Sequence, residues 1–230
     1  MNILEVKDVS KNFDGKKIVD DVSFNIEQGK IVGLLGKNGS GKTTIIKMIN
    51  DLLTVDSGSI LIDGQKISEK TKAVVSYLPE RTYLESDQKV VDVFNFFQDF
   101  YNDFDRPKAE KLLKDLDLDI NASLSKMSKG MKEKIQLILV MSRKAKLYIL
   151  DEPLGGVDPA TRDYIMQTIL SNFGEDSSLL ITTHLISDIE KILDEVIFID
   201  KGKVVLNSNA DELRAKEKSS IDEIFRRKVK

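Results

Sequence analysis

The 230 residues include 35 Lys plus Arg against 38 Asp plus Glu, a formal net charge of −3, without the basic excess that nucleic-acid binders use to hold a phosphate backbone. Hydrophobic residues make up 41% and charged residues 32%, enough apolar content for a sizeable core and too much for intrinsic disorder. Cysteine is absent, which excludes disulfides, thiol catalysis and thiolate metal sites and fits a reducing cytoplasm.

The N-terminus MNILEVKDVS has no apolar run of the signal-peptide kind. No stretch approaches the ~18 apolar residues of a membrane helix, so any membrane role is expected to run through a partner protein. ILEVKDV and KIVDDVSFNI alternate apolar and polar residues, which predicts half-buried antiparallel strands. Residues 31–35 are continuously apolar and precede a glycine-rich turn and a helix over 44–50. GSILIDG, VVSYLPE, LYILDEP and SLLITTH predict further strands; the last three have apolar bodies and polar ends. From about 90 to 143 strand signals vanish and the period becomes helical. Val93, Phe96, Phe97, Phe100 and Phe104 fall on one predicted stripe, with Phe94 and Tyr101 off it. Asp158-Pro159 opens a helix to about 173, with Pro near its first position. EVIFIDKGKVVLNS predicts a hairpin around a glycine turn, and 210–230 is helical and amphipathic. The expectation is a single α/β domain over 1–230. It has a core from about 1–83 and 144–209, an inserted helical subdomain over 84–143, and a helical tail over 210–230.

Gly36, Lys37, Asn38, Gly39, Ser40, Gly41, Lys42 and Thr43 fit G-x-x-x-x-G-K-[ST] between a predicted strand and a predicted helix. Glycines let successive backbone N–H groups point inward at a polyphosphate. The helix that begins near Thr44 adds a favourable partial charge at its N-terminus. Lys42 is expected to reach the β- and γ-phosphates, and the Thr43 hydroxyl to hold Mg²⁺. Further on, an apolar strand ends in Asp151 and Glu152. In phosphate-loop enzymes such an Asp helps hold Mg²⁺, and the adjacent Glu orients and deprotonates the attacking water. Consecutive strand side chains diverge, so one acid serves the metal and the other the water.

With these motifs in place, the chain resembles the ATP-binding subunit of an ABC (ATP-binding cassette) transporter over essentially its whole length. The ordered set continues with a signature segment at 127–131, a D-loop at Gly156, Val157 and Asp158, and a switch histidine at His184. The signature departs from the family's L-S-G-G-Q: Ser128 and Gly130 match, while Lys129 and Met131 do not. Its S-K-G-M-K form resembles the branch whose membrane partners are drug and lipid exporters. Ser128 precedes a predicted helical run over 131–141, where a hydroxyl and free N–H groups suit either an anion or a simple cap. The resemblance implies that Ser128 and Gly130 hold the γ-phosphate of an ATP bound by a second subunit. It also implies that His184 touches a γ-phosphate and helps place water, and that Asp158 lies at the subunit interface. Asp158 is equally read as the cap of its helix. Phe13, before Asp14-Gly15, matches the aromatic that stacks on adenine; the other reading is a strand-edge aromatic covering the core. The segment 75–80 resembles the Q-loop, with Glu80 in place of the expected Gln. A carboxylate there can bind Mg²⁺ or water but adds negative charge beside the phosphates, so its metal role stays open.

The implied cofactors are ATP and Mg²⁺. The implied partners are a second nucleotide-binding subunit, identical or a sister chain, paired head to tail, and a transmembrane permease subunit. Nucleic acid is not among them. The implied location is cytoplasmic, on the inner face of the membrane through the permease. Two other readings are an assembly ATPase of the iron–sulphur type and an ATP-gated clamp, both without a membrane partner. The aromatic stripe reads either as core or as a groove for a short helix of the membrane subunit. The basic tail, Phe225 to Lys230, reads as a solvated helix end or as weakly lipid-attracted.

Overall fold

A computed structural model describes residues 1–229 except Ser86 and Glu175; Lys230, the end of the basic tail, lies outside the described residues. The N-terminal alternation folds as its period of two dictates. β1 (Asn2–Phe13) and β2 (Lys16–Glu27) pair antiparallel across Asp14 (φ 47°) and Gly15 (φ 76°), the left-handed pair of a tight hairpin turn. β3 (Ile31–Gly36) follows, then α1 (Lys42–Ile49), which starts two residues before the predicted helix. β4 (Ser57–Ile62) returns antiparallel to β1, and β5 (Gln65–Lys66) completes a four-stranded sheet in the order β2-β1-β4-β5. The short α2 (Glu69–Ala73) leads into β6 (Val75–Leu78).

The chain then turns helical, as expected. α3 (Val90–Phe100), α4 (Arg106–Asp115) and α5 (Lys129–Met141) pack around Phe94, Phe97, Phe104, Leu113 and Ile138. The predicted aromatic stripe is corrected here. α3 buries Val90, Val93, Phe94 and Phe97, an i, i+3, i+4, i+7 face. Phe94 therefore lies in the core, whereas Phe96 and Phe100 are 59% and 67% exposed and stack on one another at 5.8 Å. Phe104 lies beyond the helix and packs edge-on against Phe94. Val93, Phe97 and Phe104 of the stripe are buried in the insertion core, while Phe96 and Phe100 are not, because α3 carries phenylalanines on two faces. α5 also starts earlier than expected, because the Ser128 hydroxyl accepts from the Met131 N–H and caps it.

β7 (Leu147–Asp151), α6 (Pro159–Asn172), β8 (Ser178–Thr183), α7 (Ile186–Ile189), β9 (Glu195–Asp200) and β10 (Lys203–Asn209) complete a second sheet and its covering helices. Its order is β10-β9-β3-β8-β7-β6, parallel except for the β9–β10 hairpin. Every residue of β3, β7 and β8 is buried, which is why these strands read as unbroken apolar runs. Leu34, Ile46, Ile149 and Ile197 join the packing toward the first sheet, and Leu35, Leu150, Ile165 and Phe198 a second apolar cluster. α5 bridges the insertion and the core: Ile135, Ile138 and Leu139 face the former, and Leu137, Val140 and Met141 the latter.

The tail is two helices rather than one continuous stretch. α8 (Ala210–Glu217) ends at Lys218, which takes left-handed backbone (φ 52°), and Ser220 with Glu223 forms a capping box that restarts the chain as α9 (Ile221–Lys228). Phe225 and Val229 are buried, with Phe225 edge-on to Phe198 at 5.2 Å. Arg226 pairs with Asp222, and Arg227 and Lys228 with Glu217. The tail is thus docked through its apolar residues, and its described cations already face acids of the same segment.

Candidate active site

Parallel strands end on the same edge of a sheet, and loops leaving neighbouring strands converge there. β3 leads into the phosphate loop, β8 into His184, β7 into Glu152 and β6 into Pro79-Glu80; β3, β8, β7 and β6 are consecutive in the sheet. Segments more than a hundred residues apart in sequence thereby share one edge.

The loop closes tightly. A Cβ on Gly36 would stand 2.4 Å from Ser40 Oγ and 2.7 Å from the Ile199 carbonyl oxygen, so only glycine fits. Gly41 takes φ 107°, and a Cβ there would meet the Ile18 carbonyl at 2.9 Å. The Gly202 N–H donates to the Ser40 carbonyl at 2.9 Å and pins the loop to the β9–β10 turn. Lys42 is almost fully buried; its Nζ donates to the carbonyls of Gly36 at 2.7 Å and Lys37 at 3.3 Å. The same ammonium stands 3.3 Å from Glu152 Oε1.

Asp151 Oδ1 accepts from the Thr182 hydroxyl at 2.6 Å and lies 3.4 Å from the Thr43 hydroxyl. Burial pushes its carboxyl above the usual range; the two hydroxyls pull it down, and the charges of Glu152 and Glu80 push it further up. Among the described residues no ion pair is formed with it; the nearest described ion pair is that of Lys42 with its neighbour Glu152. Hydroxyl and carboxylate oxygens beside an uncompensated buried acid suit Mg²⁺, which takes oxygen ligands and completes its shell with water and phosphate. Among the described residues no group of three or more His, Cys, Asp or Glu side chains is placed to hold a metal ion.

Glu152 does not diverge from Asp151 by strand pleating, as the sequence suggested. β7 ends at Asp151, and Glu152 takes left-handed backbone (φ 52°) with its N–H shared between the Thr182 carbonyl at 3.1 Å and hydroxyl at 3.0 Å. That reversal directs its carboxylate to His184. The His184 N–H donates to Oε2 at 3.2 Å, and the ring Nδ1 lies 2.8 Å from the same oxygen. With the proton on Nδ1, the ring donates to the carboxylate.

An open cleft of about 1150 Å³ gathers Asn38, Gly39, Gly41, Lys42, Thr43, Thr44, Glu80, Glu152 and His184. Gly36 and Ser40 complete the loop behind it. Asp151 is buried beside the cleft and lines a smaller adjoining cavity, and four further expected residues lie off the cleft wall. Phe13 sits at the β1–β2 hairpin, 44% exposed, under Lys11 Nζ at 5.8 Å; Lys16 and Ile18, just past the turn, line the cleft in its place. Ser128 and Gly130 lie at the start of α5, while Lys129 and Glu133 of that helix do reach the cleft. Asp158 caps α6, accepting from the Thr161 N–H at 3.0 Å and hydroxyl at 2.7 Å, bonds that hold its carboxyl below the usual range. The sequence reading missed Thr182, which touches both acids; its signal was the hydroxyl pair just before His184.

Residues 19–155 match the family described as ABC transporter. The chain is 33% identical over 215 residues to the ABC transporter ATP-binding protein YtrB of Bacillus subtilis (strain 168), covering 92% of this chain and 74% of that protein. It is 28% identical over 224 residues to the lipopolysaccharide export system ATP-binding protein LptB of Haemophilus influenzae, covering 93% of each. A solved structure described as the ATP binding subunit of an ABC transporter superposes with a TM-score of 0.89 at 26% identity over 98% of both chains. A family match across more than half the chain, on a fold that carries a phosphate loop beside an acidic strand end, leads to one conclusion: the chain belongs to the ABC transporter family, as an ATP-binding and ATP-hydrolysing subunit.

Proposed function

We propose that this chain binds ATP with Mg²⁺ at the phosphate loop, closes head to tail on a second nucleotide-binding subunit, and drives a transmembrane exporter. The observation that carries the reading is the run of contacts Lys42–Glu152–His184 across three neighbouring strand ends. Lys42 and the loop N–H groups bind the β- and γ-phosphates. Thr43 and Asp151 would hold the metal, which when bound would supply positive charge beside the phosphates; Glu80, exposed on the cleft wall, would add negative charge near it. Glu152 takes a proton from the attacking water, and His184 keeps that carboxylate oriented.

Because Ser128 and Gly130 lie off their own cleft, they are free to face a nucleotide held by another chain. Two copies related by a two-fold axis, or a copy and a sister chain, then share two nucleotides, with Asp158 at the seam. The helical insertion moves with this closure. Leu52, Tyr83, Phe96 and Phe100 are exposed around a groove of about 590 Å³ that also takes in Lys47 and Tyr101. An apolar groove rimmed by charge fits a short amphipathic helix of the permease. This supports a place on the inner membrane face through that partner; among the described residues no helix is long and apolar enough to cross a membrane. Export as the direction is supported by the S-K-G-M-K signature and by the export system named for the Haemophilus relative.

The deciding experiment is light scattering of Glu152→Gln with ATP and Mg²⁺, alone and with a sister chain where one exists. A stable ATP-dependent dimer is expected. A monomer under every condition would overturn the dimer reading.

A further inference from the structure

Two turns along α5 from its Ser128 cap lies Gln136, only 2% exposed, with no hydrogen-bond partner at Nε2. A buried amide donor left unpaired is costly and rare. Two buried acceptors share its condition: Asp151 Oδ2 and Glu152 Oε1 also lack hydrogen-bond partners, the latter meeting Lys42 only as an ion pair at 3.3 Å. All three residues line one cavity of about 30 Å³ adjoining the nucleotide cleft. That volume exceeds the roughly 10–15 Å³ that a single water needs. A water there would accept a bond from Gln136 Nε2 and give its two protons to the two carboxylate oxygens, matching one donor to one acceptor at each of the three buried groups.

We propose that this cavity holds a structural water linking Gln136 to Asp151 and Glu152, and that Gln136 is a positioning residue for the hydrolytic carboxylates. α5 is held firmly enough for the task. The Ser76 hydroxyl on β6 donates to the Val140 carbonyl at 2.9 Å, and the Arg143 guanidinium donates to the Val75 carbonyl at 2.6 Å. One helix then carries Ser128 and Gly130 at its start and the anchor of its own chain's carboxylates two turns on. Seating a neighbour's nucleotide at Ser128 would be felt at Glu152 through that helix. The functional half of this inference rests on Glu152 acting as the base.

Gln136→Met removes the donor at nearly constant volume, and Gln136→Asn keeps an amide that a second water can reach. The Met variant is expected to lose about tenfold in kcat, one hydrogen bond's worth of transition-state positioning, with its ATP dissociation constant within about twofold. The Asn variant is expected to keep kcat within about threefold. A high-resolution crystal structure of the unsubstituted protein is expected to show one water within hydrogen-bond reach of Gln136, Asp151 and Glu152. Unchanged kcat in the Met variant, an Asn variant as slow as the Met variant, or an empty cavity in the density would each overturn the proposal. Glu152→Gln separates the two layers: normal turnover in that variant removes Glu152 as base, while the water stands or falls by the density.

Discussion

Lys42 Nζ stands 3.3 Å from Glu152 Oε1, and both side chains are largely buried. The cation that would bind phosphate is thus held by the carboxylate that would activate water. A buried ion pair of this kind gains little net stability, because desolvation offsets most of the attraction. On the proposed reading, phosphate arriving in the loop would compete with Glu152 for the ammonium, while the other carboxylate oxygen is already held by His184 at 2.8 Å.

Lys42→Ala is expected to weaken ATP binding by about 10- to 100-fold, the loss of one or two charge-assisted hydrogen bonds. Isothermal titration measures this. Unchanged affinity would count against the loop as the phosphate site.

Glu152→Gln is expected to slow ATP turnover by roughly 10²- to 10⁴-fold. Because it also removes the competitor for Lys42, ATP affinity in the same variant should be equal or higher. Near-native steady-state hydrolysis would remove Glu152 from the role of base.

Asp151 predicts a pH-dependent stability. Its folded-state carboxyl titrates above the usual range because it is buried and the charges of Glu152 and Glu80 lie near it. The folded protein therefore binds this proton more tightly than the unfolded chain, and stability from this group falls as pH rises through that range. Asp151→Asn should raise the melting temperature at neutral pH by about 2–4 °C, and the gain should vanish in acid below the unfolded carboxyl's pKa. Mg²⁺ with ATP should stabilise the unsubstituted protein more than the variant. A melting curve for Asp151→Asn that tracks the native one at every pH would refute this account.

The two phenylalanine faces of α3 should separate cleanly. Phe94→Ala deletes a buried ring and should cost about 3–5 kcal/mol in urea unfolding. Phe96→Ser with Phe100→Ser touches only exposed rings and should leave unfolding within about 0.5 kcal/mol, yet abolish co-purification with the transmembrane partner. Undiminished co-purification would show that the groove is not the docking surface.

Much of this protein was readable without coordinates because its chemistry is local. Eight consecutive residues from Gly36 to Thr43 carry the strand end, the glycines, the lysine and the hydroxyl of a phosphate cradle, and backbone sterics alone prescribe that order. The same holds for the Asp158 cap, whose partner Thr161 lies three residues on. Phe96 and Phe94 were not separable in this way. Apolar periodicity says that a helix has a buried side, but not which of two aromatic sides meets the neighbouring helices.

Amino-acid order alone was enough for the family, the phosphate loop and the identity of the acids, since each depends on spacing along one stretch of chain. Tertiary folding alone brought Thr182 onto Asp151, turned Glu152 through a left-handed residue toward His184, and set Gln136 beside them. Those relationships join residues 15 to 32 positions apart, and the parallel register of β3, β8 and β7 decides which strand ends meet.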